Sequence, residues 1–124
     1  VLSGKVSSLS SEWKTCCIDA GGWTFETPMA SLAMGSQVRL RVLARDVSIA
    51  VEKPDSISIR NRLQAEVEEI AAHLSEPAYQ LVKLKCPNGE GRLVSRILRQ
   101  SVTELGLHPG SQVWALVKAS AVIM

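Results

Sequence analysis

Gly35-Ser36-Gln37-Val38 returns letter for letter as Gly110-Ser111-Gln112-Val113, 75 positions further on. Outward from this quartet the register holds in pattern. Val42 falls on Val117, Ala44 on Ala119, Val47 on Val122 and, upstream, Leu32 on Leu107. A second correspondence joins the starts of the repeats: Leu2, Val6 and Leu9 match Leu63, Val67 and Ile70 at a shift of 61. Two collinear matches around the same stretch indicate a duplication, so the chain is expected to hold two versions of one unit. The expected division is a first lobe at 1–52, a connector at 53–62 containing Pro54-Asp55-Ser56, and a second lobe at 63–124.

The unit reads as β. From Gln37 to Ala44, Val38, Leu40 and Val42 face one way and Arg39 and Arg41 the other, the two-residue period of a half-buried strand, with Asp46 marking a turn. Gly21-Gly22 before Trp23-Thr24-Phe25-Glu26-Thr27 signals a hairpin, and Pro87-Asn88-Gly89 turns Gln80–Lys85 into Arg92–Leu98. Leu63 to Leu74 conflicts with this scheme, because its apolar residues recur at helical spacing with Ala and Glu between them. Its counterpart, Leu2 to Leu9, is Ser- and Gly-rich and poor helix material. Duplicated positions share a fold, so both segments are expected to be strands. A short helix is expected at Gln100–Leu105, ended by Gly106. The fold class that follows is all-β: two small barrel-like lobes, with one helix in the second.

Composition narrows the function. Hydrophobic residues at 46% and charged residues at 21% describe a packed globular domain, not a disordered tail. A net charge of +2, with aromatics at only 4%, argues against a nucleic-acid groove built from cations and stacking rings. Cys16, Cys17 and Cys86 form no CxxC pair, and His73 and His108 lie far apart, so no metal site is expected. No GxxxxGK[ST] phosphate loop and no nucleophile–base set is present, which points away from an enzyme. No apolar run approaches the roughly 18 residues of a membrane span, and the expected location is the cytoplasm. The opening Val1-Leu2-Ser3 suggests a piece of a longer chain.

Two short stretches carry candidate chemistry. Ser58-Ile59-Arg60-Asn61 packs a hydroxyl, a guanidinium and a carboxamide together just before a strand. Lys118-Ala119-Ser120 lies between what read as the two closing strands of the second lobe. Taken singly, these are surface charges and turn residues. Taken together they are rich in donors and poor in acceptors, as a tetrahedral dianion requires. The small Ala119 allows backbone N–H groups to approach an anion closely.

Ser58-Ile59-Arg60-Asn61-Arg62-Leu63 resembles the Ser-x-Arg-Asn-x-Leu signature that opens a molybdate-binding Mop (TOBE-type) domain. Leu105–Gly110 and Val117–Ser120 resemble that family's ending, and Val38–Ala50 is similar to the first Mop lobe of molybdate-importer ATP-binding subunits. The resemblance spans the whole chain. It implies a tandem of OB-like five-stranded barrels that binds molybdate or tungstate, with no further cofactor. It also implies self-association as a homodimer, an attached ATPase domain and, through that domain, a membrane permease subunit at the inner face of the cell membrane. The oxyanion-binding residues it implies are Ser58, Ile59, Arg60, Asn61, Ser101, Lys118, Ala119 and Ser120. The chain departs from the pattern at Leu98, where relatives can present a hydroxyl. It departs again in the first lobe, where Leu43 and Arg45 match Lys118 and Ser120. A complete second site in the first lobe is therefore not expected, although Arg45 could serve a mixed one. The alternatives are a dimerisation module without ligand, or a free-standing molybdate-binding protein.

Overall fold

The computed structural model describes residues 1–29 and 31–124. Among these, β1 (Leu2–Ser10), β2 (Thr15–Ala20), β3 (Trp23–Pro28) and β4 (Gln37–Leu40) form one antiparallel sheet, in the order β3-β2-β1-β4. A second antiparallel sheet contains β5 (Ser48–Ala50), β6 (Asn61–Ala72), β7 (Tyr79–Lys85), β8 (Arg92–Leu98) and β9 (Gln112–Val117), in the order β5-β9-β6-β7-β8. The short helix α1 (Arg99–Glu104) follows β8, with Gly106 at φ 64° in the left-handed position that ends helices. The all-β architecture with one short helix expected from the sequence is the one observed, in two sheets, of which the first has four strands among the described residues rather than the expected five.

The duplication is visible bond by bond. The Val6 N–H donates to the Ser36 carbonyl and Val6 O accepts from Gly35; Val67 does the same with Ser111 and Gly110. β1 is irregular between Val6 and Ser8, and β6 between the matching Val67 and Glu69. This irregularity explains the helical look of the 63–74 segment. Leu63, Ala65 and Val67 alternate inward as a strand should, and the bulge then shifts the inward phase by one so that Ile70 packs on the core. The resulting spacing of 63, 67 and 70 imitates a helix turn. Pairing with β7 on one side and β9 on the other overrides the local propensity.

Neither sheet is completed by its own half. β5, drawn from residues 48–50, pairs with β9 of the second sheet. In return the last residues of the chain cross to the first sheet, where Ile123 bridges Arg41. Two sequence expectations change here. The strand expected from Gln37 to Ala44 ends at Leu40 and gives way to a 3-10 turn at Ala44–Asp46. Lys118-Ala119-Ser120 is not a β-turn between two strands of one lobe; Ala119–Ala121 form the matching 3-10 turn, after which the chain leaves for the other sheet. Leu43 and Lys118, each extended at ψ near 140°, swing the backbone off its own sheet at the two equivalent points.

One continuous core joins the halves, with Ile18, Phe25 and Leu40 from the first sheet and Val67, Val82, Leu84 and Val117 from the second. Each such buried side chain contributes roughly 1.5–3 kcal/mol. Trp23 Nε1 donates to Gln64 O at 2.7 Å across the junction. The two hairpin tips also touch, Gly91 N–H donating to Gly21 O at 2.8 Å. Gly21 has φ 64°, and a Cβ there would lie 2.5 Å from Gly91 Cα, so both conformation and space require glycine.

Candidate functional site

The crossing of β5 onto β9 leaves a small cleft of about 180 Å³, lined by Arg45, Asp46, Ser48, Ile59, Leu116, Lys118 and Ala121. Its walls come from both halves. The first contributes the 44–46 turn and the start of β5; the second contributes the approach to β6, the end of β9 and the 119–121 turn. Two of the expected site residues, Ile59 and Lys118, meet here. They are brought together because Asn61, two residues after Ile59, pairs with Val117, the neighbour of Lys118. Two cations, Arg45 and Lys118, share the cleft with one carboxylate, Asp46, whose Oδ2 lies 3.8 Å from Arg45 Nε.

The side chains of Arg60 and Asn61 turn to a different partner. Arg60 Nη2 donates to Glu26 Oε2 at 3.1 Å, and its Nε lies within 3.3 Å of both carboxylate oxygens. Asn61, only 3% exposed, imitates a peptide group: its Oδ1 accepts from Glu26 N–H at 2.6 Å and its Nδ2 donates to Glu26 O at 2.9 Å. The carboxamide thereby adds one side-chain rung between β3 and β6, joining the two sheets. Nothing in the local sequence around Glu26 signals this, because the pairing spans 35 residues.

The remaining expected residues scatter. Ser58 and Ser120 are exposed near the two ends of the cleft-forming segments. Ala119 lies in the 3-10 turn, where its carbonyl accepts from the Thr27 hydroxyl at 3.4 Å. Ser101 sits on α1, which packs on β7 and β8, and it does not line this cleft. A larger open groove of about 490 Å³ lies beside α1 instead, lined by Ala78, Leu98, Arg99, Gln100, Thr103 and Glu104. That groove offsets Arg99 with Glu104 and gathers no pair of cations. Of these two, the smaller cleft, which brings a pair of cations to Ile59, is the better candidate for an anion. Ser48, Asp46, Leu116 and Ala121 were not foreseen as site residues. The first two belong to a half whose own motif looked incomplete, and only the strand exchange brings them to Lys118.

The TOBE domain family matches residues 57–124, more than half of the chain and the part that supplies Ile59 and Lys118. The chain belongs to the TOBE domain family. It is 43% identical over 122 residues to the molybdenum import ATP-binding protein ModC of Brucella abortus, covering 98% of this chain and 33% of that protein. It is 32% identical over 123 residues to ModC of Methylococcus capsulatus, covering 99% of this chain and 34% of that protein. The TOBE chain thus spans about a third of the length of the curated relatives it matches. Among solved structures, the cytoplasmic molybdate-binding protein ModG, in a form with molybdate bound, superposes with a TM-score of 0.81 at 28% identity. That likeness covers 98% of this chain and 92% of ModG, so both sheets of the TOBE chain take part in it. Among its described residues no helix is long and apolar enough to cross a membrane, and no cluster of His, Cys, Asp and Glu suits a metal ion.

Proposed function

We propose that this domain binds molybdate or tungstate in the cleft between the 44–46 turn and Lys118. We further propose that it regulates the ATP-binding subunit of a molybdate importer by reporting occupancy. The observation that carries the reading is the meeting of Ile59 and Lys118, from the opening and closing motifs, in one small cleft. ModG, with molybdate bound, and the ModC proteins, named for molybdenum import, support the choice of ligand and setting.

A tetrahedral dianion presents four oxygens that only accept hydrogen bonds. Lys118 Nζ supplies charge, the N–H groups of Ile59, Arg60 and Ala119 supply directional donors, and the Ser58 and Ser120 hydroxyls close the rim. The Arg60 and Asn61 side chains, held by Glu26, anchor the segment that carries the Ile59 and Arg60 N–H groups. Ser101 reaches such a site only from a second copy, which makes the functional unit a homodimer with the anion at its interface. No hydrolytic chemistry is assigned to the domain. In the longer subunit an ATPase domain would precede it, the permease would be its indirect partner, and it would work at the cytoplasmic face.

Isothermal titration with molybdate, tungstate and sulfate tests this reading. A charge-assisted hydrogen bond is worth about 1.5–3 kcal/mol, so Lys118→Ala weakens molybdate binding about tenfold or more. Sulfate, the smaller anion, binds poorly. One observation favours a second reading, a dimerisation module without ligand: the Arg60 and Asn61 side chains are already engaged by Glu26. Absence of heat with millimolar molybdate, together with retained self-association, would select that module instead.

A further inference from the structure

The cleft contains two charged residues and a hydroxyl that the opening and closing motifs do not include. We propose that Arg45 and Ser48, from the first half of the duplication, are oxyanion ligands beside Lys118, and that Asp46 sets the affinity by competing for Arg45. This rests on the reading of the cleft as a molybdate-class site.

The duplication shows how asymmetric the arrangement is. At the 75-residue shift, Arg45 and Asp46 correspond to Ser120 and Ala121, and Lys118 corresponds to Leu43. Each half therefore carries the cation that the other lacks. Because β5 pairs with β9, Ser48 opposite Leu116, the first half's cation is delivered to the second half's cleft. The crevice at the equivalent crossing is lined by Val1, Arg39, Leu40, Arg41, Ile123 and Met124, and the sequence counterparts of Lys118 and Arg45, which are Leu43 and Ser120, are not part of that lining. The two crossings share a backbone pattern and differ in donors.

The chemistry of the three residues then assigns their roles. Arg45 offers a planar fork of N–H donors suited to two oxygens of one anion, and Ser48 offers one O–H. With Lys118 they place two positive charges against a dianion. Asp46 is an acceptor only, so it repels a fully ionised oxyanion directly and also holds part of the Arg45 charge. The Arg45–Asp46 contact is long, 3.8 Å, and both side chains are well exposed at 65% and 36%. Exposed pairs of this kind are weak, so the guanidinium is free to exchange one partner for another. Ile59, Leu116 and Ala121 supply the apolar part of the lining.

Titration of the whole domain with molybdate at neutral pH and fixed moderate salt separates these roles. Arg45→Ala is expected to lower affinity about tenfold, as loss of a charge-assisted ligand does, with Arg45→Lys recovering part of it. Ser48→Ala is expected to lower affinity less, and Asp46→Asn to raise it several-fold, a gain that a merely structural role for Asp46 would not produce. Arg41→Ala, a cation of the other crossing, is expected to match the unsubstituted domain. Thermal melting of each variant verifies that the fold is retained. If Arg45→Ala and Asp46→Asn both match the unsubstituted domain while Lys118→Ala loses binding, the composite site is wrong and the molybdate reading stands. If the unsubstituted domain gives no heat with molybdate, both fail.

Discussion

Arg41 and Ile123 exchange two main-chain hydrogen bonds, 2.8 and 2.9 Å long, across the two halves of the chain. Their equivalents 75 residues away, Leu116 and Ser48, pair in the second sheet. Each sheet is therefore finished by the tail of the other half, and neither tail has a sheet of its own to return to. The cleft at Lys118 lies beside one of these crossings, so an anion bound there would touch both halves at once. A ligand that is fully coordinated only when both walls are in place favours that arrangement over any looser one, the physical requirement for a sensor.

The crossing predicts shared protection. Native-state hydrogen exchange should find the Arg41 and Ile123 amides protected to a similar degree, because each donates to the other's carbonyl. Ile123→Pro removes one donor and should expose the Arg41 amide while leaving the β6–β7 amides protected, at a cost of about 1 kcal/mol. Uniform loss of protection across both sheets would contradict this.

Asn61 should matter more for stability than Arg60. Removing the buried carboxamide strands both the N–H and the carbonyl of Glu26, so Asn61→Ala should cost about 2–4 kcal/mol in urea unfolding. Arg60→Ala removes a pair with a largely exposed cation and should cost no more than about 1 kcal/mol. The reverse order would mean that the side-chain rung does not hold the sheets together.

Ser101 tests the second copy. Neither Ser101→Ala nor Lys118→Ala should restore the other if each site lies within one chain. With an interface site, an equal mixture of the two variants should recover molybdate binding near that of the unsubstituted domain in about a quarter of the sites after subunit exchange, because half the dimers are mixed and each mixed dimer has one intact site. Sedimentation should show a dimer, and a strict monomer that binds fully would remove the need for Ser101 in trans.

Acid should reveal one further contact. The hydrogen bond from Gln112, and next that from Lys85, hold the Glu66 carboxyl below its ordinary range. A depressed folded-state value means that its stabilisation is complete above the unfolded carboxylate value of about 4.3. It is lost as pH falls through the lower folded value. The stability gap between the native domain and Glu66→Gln, read by urea midpoints, should therefore be larger at neutral pH than in strong acid.

Much of the fold was legible in the sequence because duplication supplied a second copy to read. Leu63–Leu74 alone has the spacing of a helix; set against Leu2–Leu9 it becomes a strand, and the bulge at Val67 accounts for the misleading spacing. The helix after β8 was legible from its Gly106 stop. The strand exchange was not, because Ser48–Ala50 and Val122–Ile123 look like any closing strand, and a strand's partner is fixed by a pairing far away in sequence. The lining of the candidate cleft was legible only in part. Ile59 and Lys118 sit in motifs, whereas the engagement of Asn61 by Glu26, and the arrival of Asp46 and Ser48 at the cleft, depend on contacts that no local pattern encodes.

The most direct measurement is an anomalous difference map at the molybdenum edge, from crystals of this domain grown with molybdate. The account predicts one strong peak in the cleft beside Lys118 Nζ, within reach of the Ile59 N–H and the Arg45 guanidinium, and none at the equivalent crossing by Arg41. A peak located elsewhere, or no peak where calorimetry records binding, would contradict it.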